Sequence, residues 1–168
     1  MKLIEKFTDE QIHELAEEIG MGYSVCYVNR DTGEYIIMMD NQSLADYGIY
    51  WDEEEVVDDD TVYENVSGWQ QEMYDDVKTN MKKIDSWEHV LHIKKLESLK
   101  SFRIMENFVD EVIPEGKLKQ NFWNALSKSH PFRNFNAIVH NCDYREDWFK
   151  YKQKALEEYV REVIGSVD

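Results

Sequence analysis

The stretch YSVCYVNRDTGEYIIMM, residues 23–39, decides the fold of this chain. Its outer parts, YSVCYV and EYIIMM, are rich in the β-branched and aromatic residues that favour strands. The NRDTG between them supplies the Asn, Asp and Gly that tight loops prefer. The pattern therefore predicts a β-hairpin. Because both strands are apolar on both faces, we expect the sheet to be covered on both sides.

The segments that flank the hairpin predict one helix before it and one strand after it. Thr8 begins TDEQ, a capping box, and a run of apolar residues then follows at helical spacing until Gly20 and Gly22: Ile12, Leu15, Ala16 and Ile19. Much later, WEHVLHI (87–93) has the composition of a short strand. This strand could extend the hairpin to three strands.

Between these segments, DYGIYWDEEEVVDDD (46–60) has no clear period and predicts an exposed loop, whereas helical spacing predicts a helix from Thr61 to about Asp85. After the third strand the sequence predicts a series of helices. These run from Ser98 or Ser101 to about Val112, around 118–126, over 131–141 with Pro131 in the first turn, and from Asp143 onward.

The predicted fold class is α+β: a small antiparallel three-stranded sheet, an N-terminal helix and a mainly helical C-terminal half. At 168 residues the chain is expected to form a single domain, 1–168. Within it, 1–60 would be an acidic part with the helix and hairpin. Residues 61–168 would hold the next helix, the third strand and the helical part. The sequence leaves the oligomeric state open.

The charge is concentrated near the start of the chain. Of the net −16, residues 1–60 carry −14, with 3 Lys and Arg against 17 Asp and Glu. Such a field favours a basic protein partner and disfavours nucleic acid and anionic membranes. No apolar run approaches the roughly 20 residues of a membrane span, and the start lacks a signal peptide's apolar core. The widely spaced Cys26 and Cys142 suit a reducing compartment, so we expect a cytoplasmic protein.

One phrase occurs twice in the helical half, as SFRIMENFVDEV (101–112) and PFRNFNAIVHNC (131–142). Apart from an arginine, the matched positions fall at i, i+3, i+6, i+7 and i+10, which places them on one stripe of a helix. A stripe of this kind is typical of a buried core face. Packing does not explain why Arg103 and Arg133 each follow the leading Phe.

Two interpretations of these arginines remain open. A cation in the first turn of a helix faces the positive end of the helix dipole, so another contact must hold it there. Arg133 could form a bidentate ion pair with a carboxylate of the last helix, from Asp143, Glu146 or Asp147. Alternatively, free helix N-termini and nearby cations could bind a phosphate or carboxylate. The candidate binding residues are Arg103, Arg133, Lys100 and Lys128.

The same residues resemble a known family. SFRIMENFV (101–109), PFRNF (131–135) and the cluster of Trp148, Phe149 and Tyr151 are similar to the hallmarks of the bacterial uncharacterised protein family 0158. The likeness covers roughly 98–159 and is weaker in the N-terminal helix and hairpin. Family members more often have Phe and Arg where Tyr151 and Lys152 stand. The resemblance implies a cytoplasmic bacterial protein, and the family has no established reaction.

No pattern in the sequence indicates catalysis, a metal or a cofactor. Phosphate-loop, dinucleotide, serine-hydrolase and zincin motifs are missing from the sequence. His89 and His92 would point to opposite faces of a strand, and the acids 52–60 lack the pattern of an EF-hand. A hydrolase that uses dispersed acids and His140 is the weakest alternative. HNCDYRED (140–147) is interpreted as a helix end and cap.

The chain is therefore predicted to be a non-catalytic interaction or regulatory protein, with an anion or nucleic-acid binding module as the alternative. Four aromatic residues lie in or near the acidic stretch: Tyr47, Tyr50, Trp51 and Trp69. They either mark an interface or cover the sheet.

Overall fold

The computed structural model describes residues 1–50 and 67–168. The chain divides into two compact units, which are described separately below. The first unit comprises Met1–Lys95 together with Val160–Asp168, and the second comprises Leu96–Tyr159. The division therefore falls within the last helix at one point and just after the third strand at the other.

The first unit contains the predicted sheet. Strands β1 (Ser24–Asn29), β2 (Tyr35–Met39) and β3 (Val90–Ile93) are antiparallel in the order β2-β1-β3. Tyr27 of β1 lies opposite Ile36 on one side and His92 on the other. The predicted α+β class, the hairpin and the third strand are thus confirmed.

Helices cover both faces of this sheet, as expected from its apolar strands. α1 (Asp9–Gly20) begins at the predicted Thr8 capping box and ends at Gly20. On the face that holds Tyr35, Glu14 of α1 accepts a hydrogen bond from the Tyr35 hydroxyl at 2.7 Å. On the opposite face, Tyr27 packs in a buried cluster that includes residues of α3 (Gly68–Asp85). The other members of this cluster are Leu44, Ile49, Tyr74, Val77, Met81 and Ile84.

Two elements of the first unit differ from the prediction. α3 begins at Gly68, so the predicted helix does not continue through Ser67, because Ser67 is extended (φ −72°, ψ 164°) and forms a capping box with Gln70. A short helix, α2 (Asn41–Asp46), was not predicted; Asp40 caps it by accepting a hydrogen bond from the Ser43 N–H at 2.7 Å. The predictions for 51–66 lie outside the described residues.

The second unit is helical, as predicted. It contains α4 (Ser98–Val112), α5 (Lys117–Ser127), α6 (Pro131–Val139) and the first part of α7 (Arg145–Gly165). Its core is built largely from the repeated phrase: Met105, Phe108, Val109, Phe135 and Val139 are buried, and their partly buried neighbours are Phe102, Val112, Ile138 and Cys142. The predicted core stripe is therefore confirmed in both copies except at Phe132, which is exposed. Among the helices in residues 1–50 and 67–168, none is long and apolar enough to cross a bilayer.

Candidate interaction sites

The two copies of the repeated phrase meet through their aromatic rings. Phe102 contacts Phe132 edge-on, with ring centroids 6.5 Å apart, and Phe108 contacts Phe135 in the same way at 6.3 Å. These pairs follow the same order along α4 and α6. The two helices therefore run in the same direction and begin at the same end of the second unit.

Four cations lie at this end, and we call them the basic end: Lys100, Arg103, Lys128 and Arg133. All four are exposed, and within residues 1–50 and 67–168 no carboxylate forms an ion pair with any of them. The Lys100 Nζ lies 5.7 Å from the centre of the Tyr159 ring. Lys128 follows the last residue of α5. The structure thus brings the four predicted binding residues to one end of one unit.

Arg133 makes no ion pair with Asp143, Glu146 or Asp147. The direction of α7 explains the separation. Near the start of α7, Trp148 packs against Phe135 at 4.7 Å, whereas Tyr159 lies beside Lys100 in the first turn of α4. α7 therefore runs opposite to α4 and α6, and its acidic first turn lies away from the end where α6 begins.

The starts of α4 and α6 both lack a side-chain cap. Glu97 precedes α4 and His130 precedes α6, and neither side chain accepts a hydrogen bond from the first turn. The unbonded N–H groups of a first turn favour an anion. Burial, followed by the charge of Glu97, raises the pKa of the Tyr159 hydroxyl.

The backbone before α6 holds a feature that the sequence analysis missed. His130 has φ 56° and ψ 52°, and it is the one residue other than glycine with a positive φ among residues 1–50 and 67–168. The Asn134 side-chain amide fixes this turn by donating to the Ser129 carbonyl at 2.9 Å. Left-handed conformations of this kind are costly and concentrate at functional sites. Histidine before proline gave no signal for it.

A second candidate surface lies in the first unit. Tyr47 and Trp69 are each 51% exposed and meet at nearly right angles, with centroids 6.2 Å apart and planes at 82°. Tyr50 is 75% exposed. We call these three rings the aromatic surface. Trp51, the fourth residue of the predicted group, lies outside the described residues. The three described rings are exposed and do not cover the sheet.

The histidines considered for metal binding or catalysis occupy separate positions. His89 pairs with Asp31 at 3.1 Å, and His92 stacks on Tyr27 at 4.5 Å. His140 follows α6 and lies against the Phe149 ring at 5.7 Å. In the part of the chain that the structure describes, no three His, Cys, Asp or Glu side chains are grouped as metal ligands would be.

Comparison with known proteins identifies the same family that the motifs around Arg103 and Arg133 resemble. A family model described as uncharacterised protein family UPF0158 matches residues 36–166. The chain belongs to this family. No curated protein and no solved structure matches it.

The UPF0158 match includes both candidate surfaces. It begins in β2 and continues almost to the end of the chain, so it contains the aromatic surface and the basic end. It leaves out α1 and β1, which are nevertheless part of the first unit. Membership in UPF0158 brings no reaction or ligand with it, so a function has to be inferred from the two surfaces.

Proposed function

We propose that this chain is a non-catalytic cytoplasmic interaction protein whose first unit binds a basic protein partner. The charge distribution carries the proposal. Residues 96–159 contain 10 Lys and Arg against 10 Asp and Glu, so the second unit is neutral. The remaining 9 Lys and Arg against 25 Asp and Glu, a net −16, all belong to the first unit. A field this one-sided attracts and orients cationic partners.

The described helices of the first unit present this charge to solvent. Glu10 and Glu17 lie on the exposed face of α1, opposite its buried stripe. Glu72 and Asp76 are exposed on α3, and neither forms an ion pair with a described residue. The cytoplasmic location is supported by Cys26 and Cys142, which are both free thiols, since disulfides are rare in reducing compartments.

Charge reversal in the first unit should abolish binding to a basic probe. We expect a synthetic arginine-rich peptide to bind the wild-type chain and to lose roughly tenfold or more in affinity between low salt and 0.5 M salt, because screening weakens exposed charges. Fluorescence anisotropy of the labelled peptide measures this. The test variant replaces four exposed acids of the first unit with lysine: Glu10, Glu17, Glu72 and Asp76.

A control variant makes the same change in total charge within the second unit. It replaces four exposed acids there with lysine: Asp110, Asp143, Glu146 and Asp147. The first variant should no longer bind the arginine-rich peptide, and the control should keep most of its affinity for it. Equal losses would mean that net charge alone governs binding, and that result would count against a partner-binding first unit.

A second candidate function is anion binding at the basic end. The observation that favours it is the meeting of four cations without ion pairs and two uncapped helix starts at one end of a neutral unit. Guanidinium groups and first-turn N–H groups are the donors that phosphate oxygens prefer. The ligand class would be a phosphate-bearing molecule, and nucleic acid belongs to that class.

Replacing Arg103 and Arg133 with methionine tests this second function. Because both side chains are exposed and make no ion pair with the described residues, each change alone should alter the free energy of unfolding by only about 0.5 kcal/mol. Inorganic phosphate at a concentration of about 100 times its Kd should raise the Tm of the wild-type chain by roughly 5 to 10 degrees. The double variant should lose this rise, which thermal unfolding followed by circular dichroism would detect.

The matched control for that experiment is Arg145→Met. Arg145 is also exposed in the second unit, but it lies over the Phe149 ring at 5.2 Å, near the start of α7. It should keep the phosphate effect. An equal Tm rise in wild type, double variant and control would identify a general salt effect and remove this candidate.

A further inference from the structure

We propose that Tyr47 and Trp69 form the anchoring site for an arginine side chain of the basic partner. This inference rests on the proposed binding of a basic protein by the first unit and adds the residues and the side chain that make it selective. Four observations among the described residues support it: a fixed backbone, two exposed rings at right angles, nearby carboxylates without ion pairs, and rings without competing hydrogen bonds.

The backbone under the rings is held to α3. The Gln70 side-chain amide donates to the Tyr47 carbonyl at 3.0 Å, and the Tyr50 N–H donates to the Tyr74 hydroxyl at 3.1 Å. Gly48 has φ 76°, and a Cβ there would lie 3.1 Å from the same Gln70 amide. The turn after α2 therefore approaches α3 closely, which places Tyr47 against Trp69.

The two rings form an open corner. Their planes stand at 82°, and about half of each side chain is exposed. Within residues 1–50 and 67–168, neither the Tyr47 hydroxyl nor the Trp69 indole N–H makes a hydrogen bond. An aromatic pair left exposed in a fixed geometry provides two faces on which a flat cation can stack.

Acidic residues lie close to Tyr47 and Trp69 along α2 and α3. Asp46 precedes Tyr47 in the chain, and Glu72 and Asp76 follow Trp69 at i+3 and i+7, on the same side of α3. All three are exposed, and no described cation forms an ion pair with them. A cation stacked on the rings would therefore have carboxylates within reach, whereas an anionic ligand would be repelled.

Arginine fits this arrangement better than lysine. Its guanidinium group is planar, is weakly hydrated and can stack on a ring while donating a fork of hydrogen bonds to a carboxylate. A lysine ammonium is strongly hydrated and cannot do both in the same way. The corner would thus discriminate between two side chains of equal charge, which the overall negative field cannot do.

The experiment compares two peptides of equal charge and length, one arginine-rich and one lysine-rich, on three forms of the full chain. Wild type should bind the arginine peptide several-fold more tightly. Trp69→Ala should weaken arginine-peptide binding roughly five- to tenfold and bring the two affinities close together. Trp123→Ala is the matched control, since Trp123 is a partly exposed tryptophan of the neutral second unit, and it should behave as wild type.

Tyr47→Ala serves as a second variant, and far-UV circular dichroism verifies that each variant is folded. Loss of the preference for arginine in both Trp69→Ala and Tyr47→Ala supports the anchor. If both variants keep the wild-type preference, while the four-acid reversal still abolishes binding, the anchor is wrong and the acidic interaction function stands. If neither peptide binds the wild-type chain, the proposed function fails and the anchor with it.

Discussion

Replacing Phe108 with alanine is expected to lower the free energy of unfolding by about 3 to 5 kcal/mol. The Phe108 side chain is fully buried and contacts rings from two other helices: Phe135 at 6.3 Å, Trp148 at 5.1 Å and Tyr151 at 5.4 Å. Truncation removes these contacts and leaves a cavity that the neighbouring rings cannot fill. Since whole domains are stable by only about 5 to 15 kcal/mol, a loss of this size approaches the limit for folding.

Phe132→Ala is the control for this prediction. Phe132 is 39% exposed, and its single ring partner among the described residues is Phe102. Its loss should cost only about 1 kcal/mol, close to the value of one edge-to-face pair. Urea unfolding followed by far-UV circular dichroism gives both values. If the free energy of unfolding fell by similar amounts in the two variants, Phe108 would not be a main contributor to the stability of the second unit.

The contrast between these phenylalanines shows what the sequence could predict. Period and composition identified the hairpin, the third strand and the buried stripe of the repeated phrase, because burial of one face requires a regular spacing. The same argument placed Met105 and Val109 in the core, and both are buried. The Thr8 capping box gave the start of α1 for an equally local reason.

Local signals failed where two of them competed. The apolar spacing from Thr61 onward suggested one continuous helix, but Ser67 and Gln70 form a capping box of their own and begin α3 seven residues later. α2 has only one buried residue, Leu44, so its sequence carried no helical period. In both places a polar cap, and not the apolar pattern, decided the boundary.

The candidate sites depended on chain direction, which sequence spacing does not give. Asp143, Glu146 and Asp147 were reasonable partners for Arg133 by sequence distance, yet the opposite direction of α7 carries them away from the start of α6. The left-handed backbone of His130 was equally hidden, because a residue before proline is ordinarily extended. The exposure of Tyr47 and Trp69 likewise depends on how α2 meets α3.

Alkaline pH should destabilise the chain through Cys26. Burial, and to a lesser extent the charge of Glu14, raises the pKa of the Cys26 thiol from 9.0 to about 12. The thiolate thus forms more easily in the unfolded chain. The stability that the neutral thiol provides is fully present below pH 9 and is lost as pH rises toward 12. Linkage gives a loss of about 2 to 3 kcal/mol between pH 8 and pH 11.

Cys26→Ala isolates this contribution. The variant is expected to be less stable than wild type at pH 8, because it loses a buried sulfur atom. Between pH 8 and pH 11, however, its free energy of unfolding should fall by about 2 to 3 kcal/mol less than that of wild type. Tyr151, whose pKa burial also raises to about 12, remains in both chains and cancels in the comparison. Tyr35 cancels only in part, because Cys26 adds to burial and Glu14 in raising the pKa of Tyr35 to about 12. Urea unfolding under reducing conditions at both pH values measures the difference. Parallel losses in the two chains would show that the Cys26 thiol ionises as readily in the folded chain as in the unfolded one. In that case α1 would not close this face of the sheet to water in solution.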